Sequence, residues 1–184
     1  MIENTTTLEG REGHHPRTVG VIAAAGSLAL LRALSSYSWL SGALVGKDAK
    51  FNPGFLNGSG LAQRITKPAT GFAHTALTDG VASFLTGTVV PHASLFAWMI
   101  ALSELAIGLS LLFGIFARLG GLVAIIRAIT NVLVAGSAAD VVGHNYMLAL
   151  AGLVVMLSAA GRAYGIDKLL VNRFPDSRFL RLVS

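Results

Sequence analysis

There is no cysteine among the 184 residues. That excludes disulfides, thiolate-ligated clusters, zinc–thiolate sites and a cysteine carrying sulfur covalently. A redox cofactor would need other ligands or a partner to hold it. Charge is also scarce: Asp, Glu, Lys and Arg make up 12% of the chain, against about 25% in a soluble domain. Hydrophobic residues fill 53% and mean hydropathy is +0.66, the composition of an integral membrane protein. Internal repeats and low-complexity tracts are missing too, so the length suits one compact domain. The net charge of +5 sits mainly in loops and tail, which points to topology and lipid headgroups and away from nucleic acid.

What is present is organised around the apolar run from His92 to Phe116. At 1.5 Å per residue it spans roughly 37 Å, enough to cross a hydrocarbon core of about 30 Å with some tilt. Glu104 stands at its midpoint. A carboxylate there costs at least about 2.5–3.5 kcal/mol on insertion scales, so it should face protein or water and have a partner. Arg127, near the middle of the next apolar run, is the expected partner. With a short turn near Ala117, Glu104 lies 13 residues before the turn and Arg127 10 after it, at similar depth.

The polar stretch 1–18, with His14 and His15, reads as a cytoplasmic tail, and its histidines as solvated residues. Helix one covers about 19–45. It is too long for a cleaved leader and reads as retained in the membrane. Arg32, Ser35, Ser36 and Trp39 fall near one of its faces, with Arg32 inward. From Gly46 to Val90 turn chemistry dominates, and Pro68, Gly71, Gly80 and Gly87 interrupt the apolar pattern. Short helices are expected in this segment. Phe72, Leu77, Val81, Phe84 and Leu85 approximate one apolar face that lies on the membrane or caps the helices. Helices two, three and four cover about 92–116, 118–138 and 143–161. Asn131 follows Arg127 by one turn on one face, and Asn145 falls in the first turn of helix four.

The expected fold is therefore all-α: an integral membrane four-helix bundle with a long extracytoplasmic loop between helices one and two. The membrane domain covers 19–171, and 172–184 form a basic tail whose arginines and Phe174, Phe179 and Leu180 suit anionic headgroups. Eight Lys and Arg outside the spans on one side, against four in the long loop, place both termini in the cytoplasm. The expected location is a multi-pass position in the inner (cytoplasmic) membrane.

The stretch SELAIGLSLLFGIFARLGGL, with Glu104, Gly108, Leu112, Gly114 and Arg118, resembles the signature of the DoxX/DoxD family of small four-helix membrane proteins. GRAYGIDKLL, with Gly161, Arg162, Asp167 and Leu170, is similar to that family's closing motif. FNPGFL, with Asn52, Pro53 and Phe55, resembles the DoxD branch, and Pro91 falls where such proteins often have a proline before helix two. The resemblance covers roughly Leu30 to Val171. The resemblance implies a four-helix bundle associated with quinone-linked oxidation, DoxD being a subunit of thiosulfate:quinone oxidoreductase.

Reducing a quinone takes two electrons and two protons, so a site needs donors to two carbonyls, an apolar slot and a proton route. Glu104 and Arg127 are the candidate catalytic pair. Arg32, Asn131, Asn145 and Trp39 are the candidate quinone- or substrate-binding residues, with Trp98 as a second slot aromatic. Two inner cations against one carboxylate would also favour a small anion such as thiosulfate. Two other readings remain open: an ion pair that only fixes helix register, and a non-catalytic anchor or assembly subunit of a larger membrane complex, its small residues packing against protein partners. Proton or ion transfer through the same charges is a weaker alternative. His92 and His144 sit at helix starts, where histidines more often cap than ligate, which argues against haem. No metal site is expected.

Overall fold

The computed structural model describes residues 16–46, 49–136, 139–158, 160–162 and 164–183, with only the backbone described at 16–23 and 139–140. The histidine pair at 14–15 lies outside the described residues. All regular elements among them are helical. α1 runs Pro16–Leu44. Four short helices follow: α2 Pro53–Leu56, α3 Ser59–Thr66, α4 Phe72–Thr75 and α5 Asp79–Phe84, the last continuing into a π turn at Leu85–Val89. The long helices α6 Ala93–Phe113, α7 Ala117–Ala135 and α8 Ala139–Ser158 come next, then α9 Ile166–Arg173 and α10 Arg178–Val183. α6, α7 and the Val141–Ser158 part of α8 are long and apolar enough to cross a membrane. The chain is a multi-pass membrane protein.

The long helices differ from the expected bounds at their ends. α6 stops at Phe113 because Gly114 takes the left-handed conformation (φ 62°) and returns its N–H to the Ser110 carbonyl. Phe116 is also left-handed, at φ 51°, and α7 starts at once behind it. α8 begins at Ala139, so Asn145 falls in its second turn instead of its first.

Apolar side chains surround α6, α7 and α8 on every side, as expected where the outer face meets hydrocarbon and the inner face meets protein. Large side chains such as Leu102, Leu109, Ile126, Leu150 and Leu157 stay exposed. Inside, the residues are small: Ala97, Ala101, Ala117, Ala124 and Ala128 are fully covered or nearly so. α1 packs chiefly on α6, and α7 chiefly on α8. The second pair is closest at Gly121 and Gly152, where a Cβ on either would stand 2.6–2.8 Å from the other's carbonyl oxygen. Trp39, Ile107, Leu111, Leu148 and Val155 fill the core between the pairs.

The segment between α1 and α6 forms a cap whose apolar centre of Phe55, Leu61, Ile65, Leu85 and Val89 closes on Ala97 of α6. The expected apolar face over 70–85 is broken between α4 and α5. Phe72 and Val81 pack against this centre, while Leu77 and Phe84 remain exposed. The Leu77 N–H donates to the Leu133 carbonyl at 2.9 Å and so ties the cap to the end of α7.

Candidate functional site

Glu104 is buried, 5% exposed, with one carboxylate oxygen directed to each side. Oε1 accepts from Arg127 Nη2 at 3.1 Å. Oε2 lies 3.4 Å from Lys50 Nζ, an ion pair without hydrogen-bond geometry. Room for this second pair comes from Gly42 on α1, where a Cβ would stand 3.2 Å from Oε2.

Lys50 reaches the site because the chain turns back on the end of α1. The N–H groups of Lys50 and Phe51 donate to the carbonyls of Gly42 and Ala43, satisfying acceptors that the helix end leaves open. Phe51 meets Trp98 edge-on, with centroids 6.3 Å apart, and Asn52 caps α2 by accepting from the Phe55 N–H at 2.9 Å. No helical periodicity carries this lysine to Glu104, so sequence reasoning missed it. The available signal was the turn chemistry of FNPG immediately after it.

From Arg127 the network continues through α7 and α8. Arg127 Nη1 donates to Asn131 Oδ1, Asn131 Nδ2 to Asn145 Oδ1 at 2.9 Å, and Asn145 Nδ2 to the Val141 carbonyl at 2.8 Å. The oxygen and the nitrogen of each asparagine side-chain amide are thus engaged, and together the two residues hold the guanidinium in place. Arg127 Nε is buried without an acceptor. Trp39, 3% exposed, also has an indole N–H with no acceptor. It lies one turn before Gly42 on α1 and packs in the core with Ile107, Ala124 and Ala128.

The structure therefore brings Glu104, Arg127, Asn131 and Asn145 together, with Trp39 on the adjoining core face. Arg32 is placed elsewhere. Its guanidinium abuts Gly114, ten residues along α6 from Glu104 or about 15 Å of helix. There it donates to the Ala160 carbonyl at 2.6 Å and the Tyr164 carbonyl at 3.4 Å, near the Asp167 carboxylate. Asp167, fully buried, accepts from the N–H groups of Phe116 (2.7 Å) and Ala117 (2.9 Å) and so caps α7 from 50 residues away. The surplus cation beside Glu104 is Lys50 and not Arg32. Trp98 does not join Trp39: it is 45% exposed and faces Phe51 on the outer surface of α6.

His92 and His144 are both exposed, and His92 Nδ1 is 3.0 Å from the Thr88 carbonyl oxygen. Among the described residues no grouping of His, Asp and Glu could hold a metal ion.

On the α6–α7 side, a groove of about 450 Å³ opens between the two helices, its walls almost wholly apolar. It ends at Ser103 and Val123. Arg127 stands one turn beyond Val123 on the same helix face.

No curated protein and no solved structure matches the chain. A family model does, and it covers more than the motifs quoted from the sequence, taking in α10 as well as the Glu104 network and the Asp167 clasp. Over residues 27–183 the chain matches the model described as "TQO small subunit DoxD", and it belongs to the DoxD family.

Proposed function

We propose that this chain is a membrane subunit of a quinone-linked oxidoreductase of the thiosulfate:quinone type, and that the Lys50–Glu104–Arg127 network with Trp39 forms its buried site. The observation that carries the reading is the ion-paired Glu104 beside an Arg127 with one N–H left without an acceptor, inside helices of membrane length. Burying such a group costs about 1–3 kcal/mol when no partner is met, and a ligand oxygen would remove that cost.

A quinone fits these residues by its chemistry: two unengaged buried donors, Arg127 Nε and Trp39 Nε1, border an apolar core, and two carbonyl oxygens could accept from them. Bound there, a quinone supplies two-electron, two-proton redox chemistry. Glu104 holds or releases a proton at Oε2, the oxygen facing Lys50. Lys50, about one-fifth exposed, joins that oxygen to the surface of the cap. Asn131 and Asn145 position Arg127 through the oxygen and nitrogen of their side-chain amides. The two cations around one carboxylate leave the site net positive, which also favours a small anion such as thiosulfate on the Lys50 side. Arg32 acts as the clasp between the α6–α7 turn and the segment after α8.

α1 makes the fourth span of a four-helix membrane bundle, with the short-helix segment as its extracytoplasmic cap and both termini in the cytoplasm. The domain boundaries follow the same division: a polar tail to 18, the membrane domain over 19–171 and a basic tail after it. The location is the inner membrane, among lipids and the other subunits of a redox complex.

A second reading is favoured by one feature, the continuous series of an ion pair and hydrogen bonds from Lys50 to the Val141 carbonyl, which ties the loop behind α1 to α6, α7 and α8 as a register-fixing network would. In that case the chain is a non-catalytic anchor. Replacing Glu104 with Gln and measuring quinone reduction in the complex extracted from native membranes separates the two. Loss of activity with normal insertion supports the site; full activity leaves the network as architecture.

A further inference from the structure

We infer that the groove between α6 and α7 is the channel for the isoprenoid tail of the quinone, reached sideways from the bilayer; the inference rests on the quinone reading above. The groove is lined by Ser103, Ala106, Ser110 and Phe113 from α6 and by Leu119 and Val123 from α7. Its two serines present no free donor, since Ser103 Oγ donates to the Ile100 carbonyl at 2.8 Å and Ser110 Oγ to the Ile115 carbonyl at 2.7 Å. The walls therefore select hydrocarbon, and the volume lies within the roughly 300–1,000 Å³ of ordinary ligand pockets.

The polarity of the groove decides which hydrocarbon. Its end at Ser103 and Val123 lies one helical turn short of Arg127, near the middle of α7, whose Nε is a buried donor without an acceptor. Its other end, at Phe113 and Leu119, is apolar and lies near the helix termini. A phospholipid seated in its leaflet needs the opposite arrangement, with its headgroup at the helix termini. Arg118, next to Leu119 in the chain, does not line the groove: its Nη1 is directed to the Arg181 carbonyl at 3.5 Å, and its Nε is buried without an acceptor. A molecule with a small uncharged acceptor head and a long apolar tail matches both ends.

The test uses the full chain in phospholipid nanodiscs and two groove-filling variants from opposite walls, Ala106→Phe and Val123→Phe, each first checked for monodispersity. Binding is measured for a long-tailed quinone and for a tail-less quinone with the same ring. At equal concentration in the bilayer the wild type should bind the long-tailed compound about tenfold or more tighter, through packing of the tail against the groove walls, since transfer out of lipid hydrocarbon itself contributes nothing. Both variants should lose that advantage and keep their affinity for the bare ring. Variants that retain the advantage, that lose the ring as well, or a wild type that binds both compounds equally would overturn the channel while leaving the quinone site standing. Binding of neither compound by the wild type would overturn both. Mass spectrometry showing a phospholipid that excess long-tailed quinone does not displace from the groove would also overturn the channel.

Discussion

Lys50 Nζ and Arg127 Nη2 approach different oxygens of the same carboxylate, at 3.4 Å and 3.1 Å, so Glu104 is an acid held between two cations, one from the loop behind α1 and one from α7. Each cation should compensate in part for the loss of the other. Lys50→Met is expected to lower stability by about 1–2 kcal/mol, a moderate value because the lysine is partly exposed. Glu104→Gln in that background should cost less than the sum of the single changes, by about 1 kcal/mol. Thermal unfolding of the four proteins in one detergent checks it; strict additivity would mean that the 3.4 Å approach carries no coupling.

Arg127 offers a sharper contrast between side chains. Arg127→Leu leaves Glu104 and Asn131 without their donor and should cost about 3–5 kcal/mol. Arg127→Lys keeps the charge but cannot serve both acceptors through a fork, so its loss should fall between wild type and Leu. Denaturation in mixed micelles gives the order, and a Lys variant as unstable as Leu would show that geometry outweighs charge.

The contact of α7 with α8 should be intolerant of added volume. Gly121→Ala places a methyl group about 2.6 Å from the Gly152 carbonyl oxygen. The helices must separate, at a cost of about 1–3 kcal/mol. The same substitution at Gly143, where a Cβ meets nothing within 4 Å, should be close to neutral. Parallel melting curves decide the comparison.

Topology can be read directly because the chain has no cysteine to remove. A membrane-impermeant maleimide applied to intact cells should label Gln63→Cys in the cap and leave Asn172→Cys unlabelled until the membrane is permeabilised. The reverse pattern would invert the orientation proposed above.

The counting argument that set Glu104 and Arg127 at one depth needed only an antiparallel turn, and the turn occurs within three residues of the expected place. Asn131 followed from helical spacing. Lys50 was hidden because a lysine in a loop has no period, and its position depends on backbone bonds to Gly42 and Ala43. The partners of Arg32 were hidden for another reason: Asp167 and the Ala160 carbonyl are more than 120 residues away in sequence. The outward position of Trp98 was hidden because α6 is apolar on nearly every side, and a pattern without a polar face cannot say which side meets protein.

The cap that Asp167 places on α7 has an implication for biogenesis. The α6–α7 hairpin emerges from the ribosome about fifty residues before the carboxylate that will accept its Phe116 and Ala117 amides. Until then those amides must be solvated or met by the insertion machinery, and left-handed Phe116 has no anchor. The hairpin is thus built first and fastened last, and a chain released before Asp167 would carry its spans without the fastening that fixes their turn.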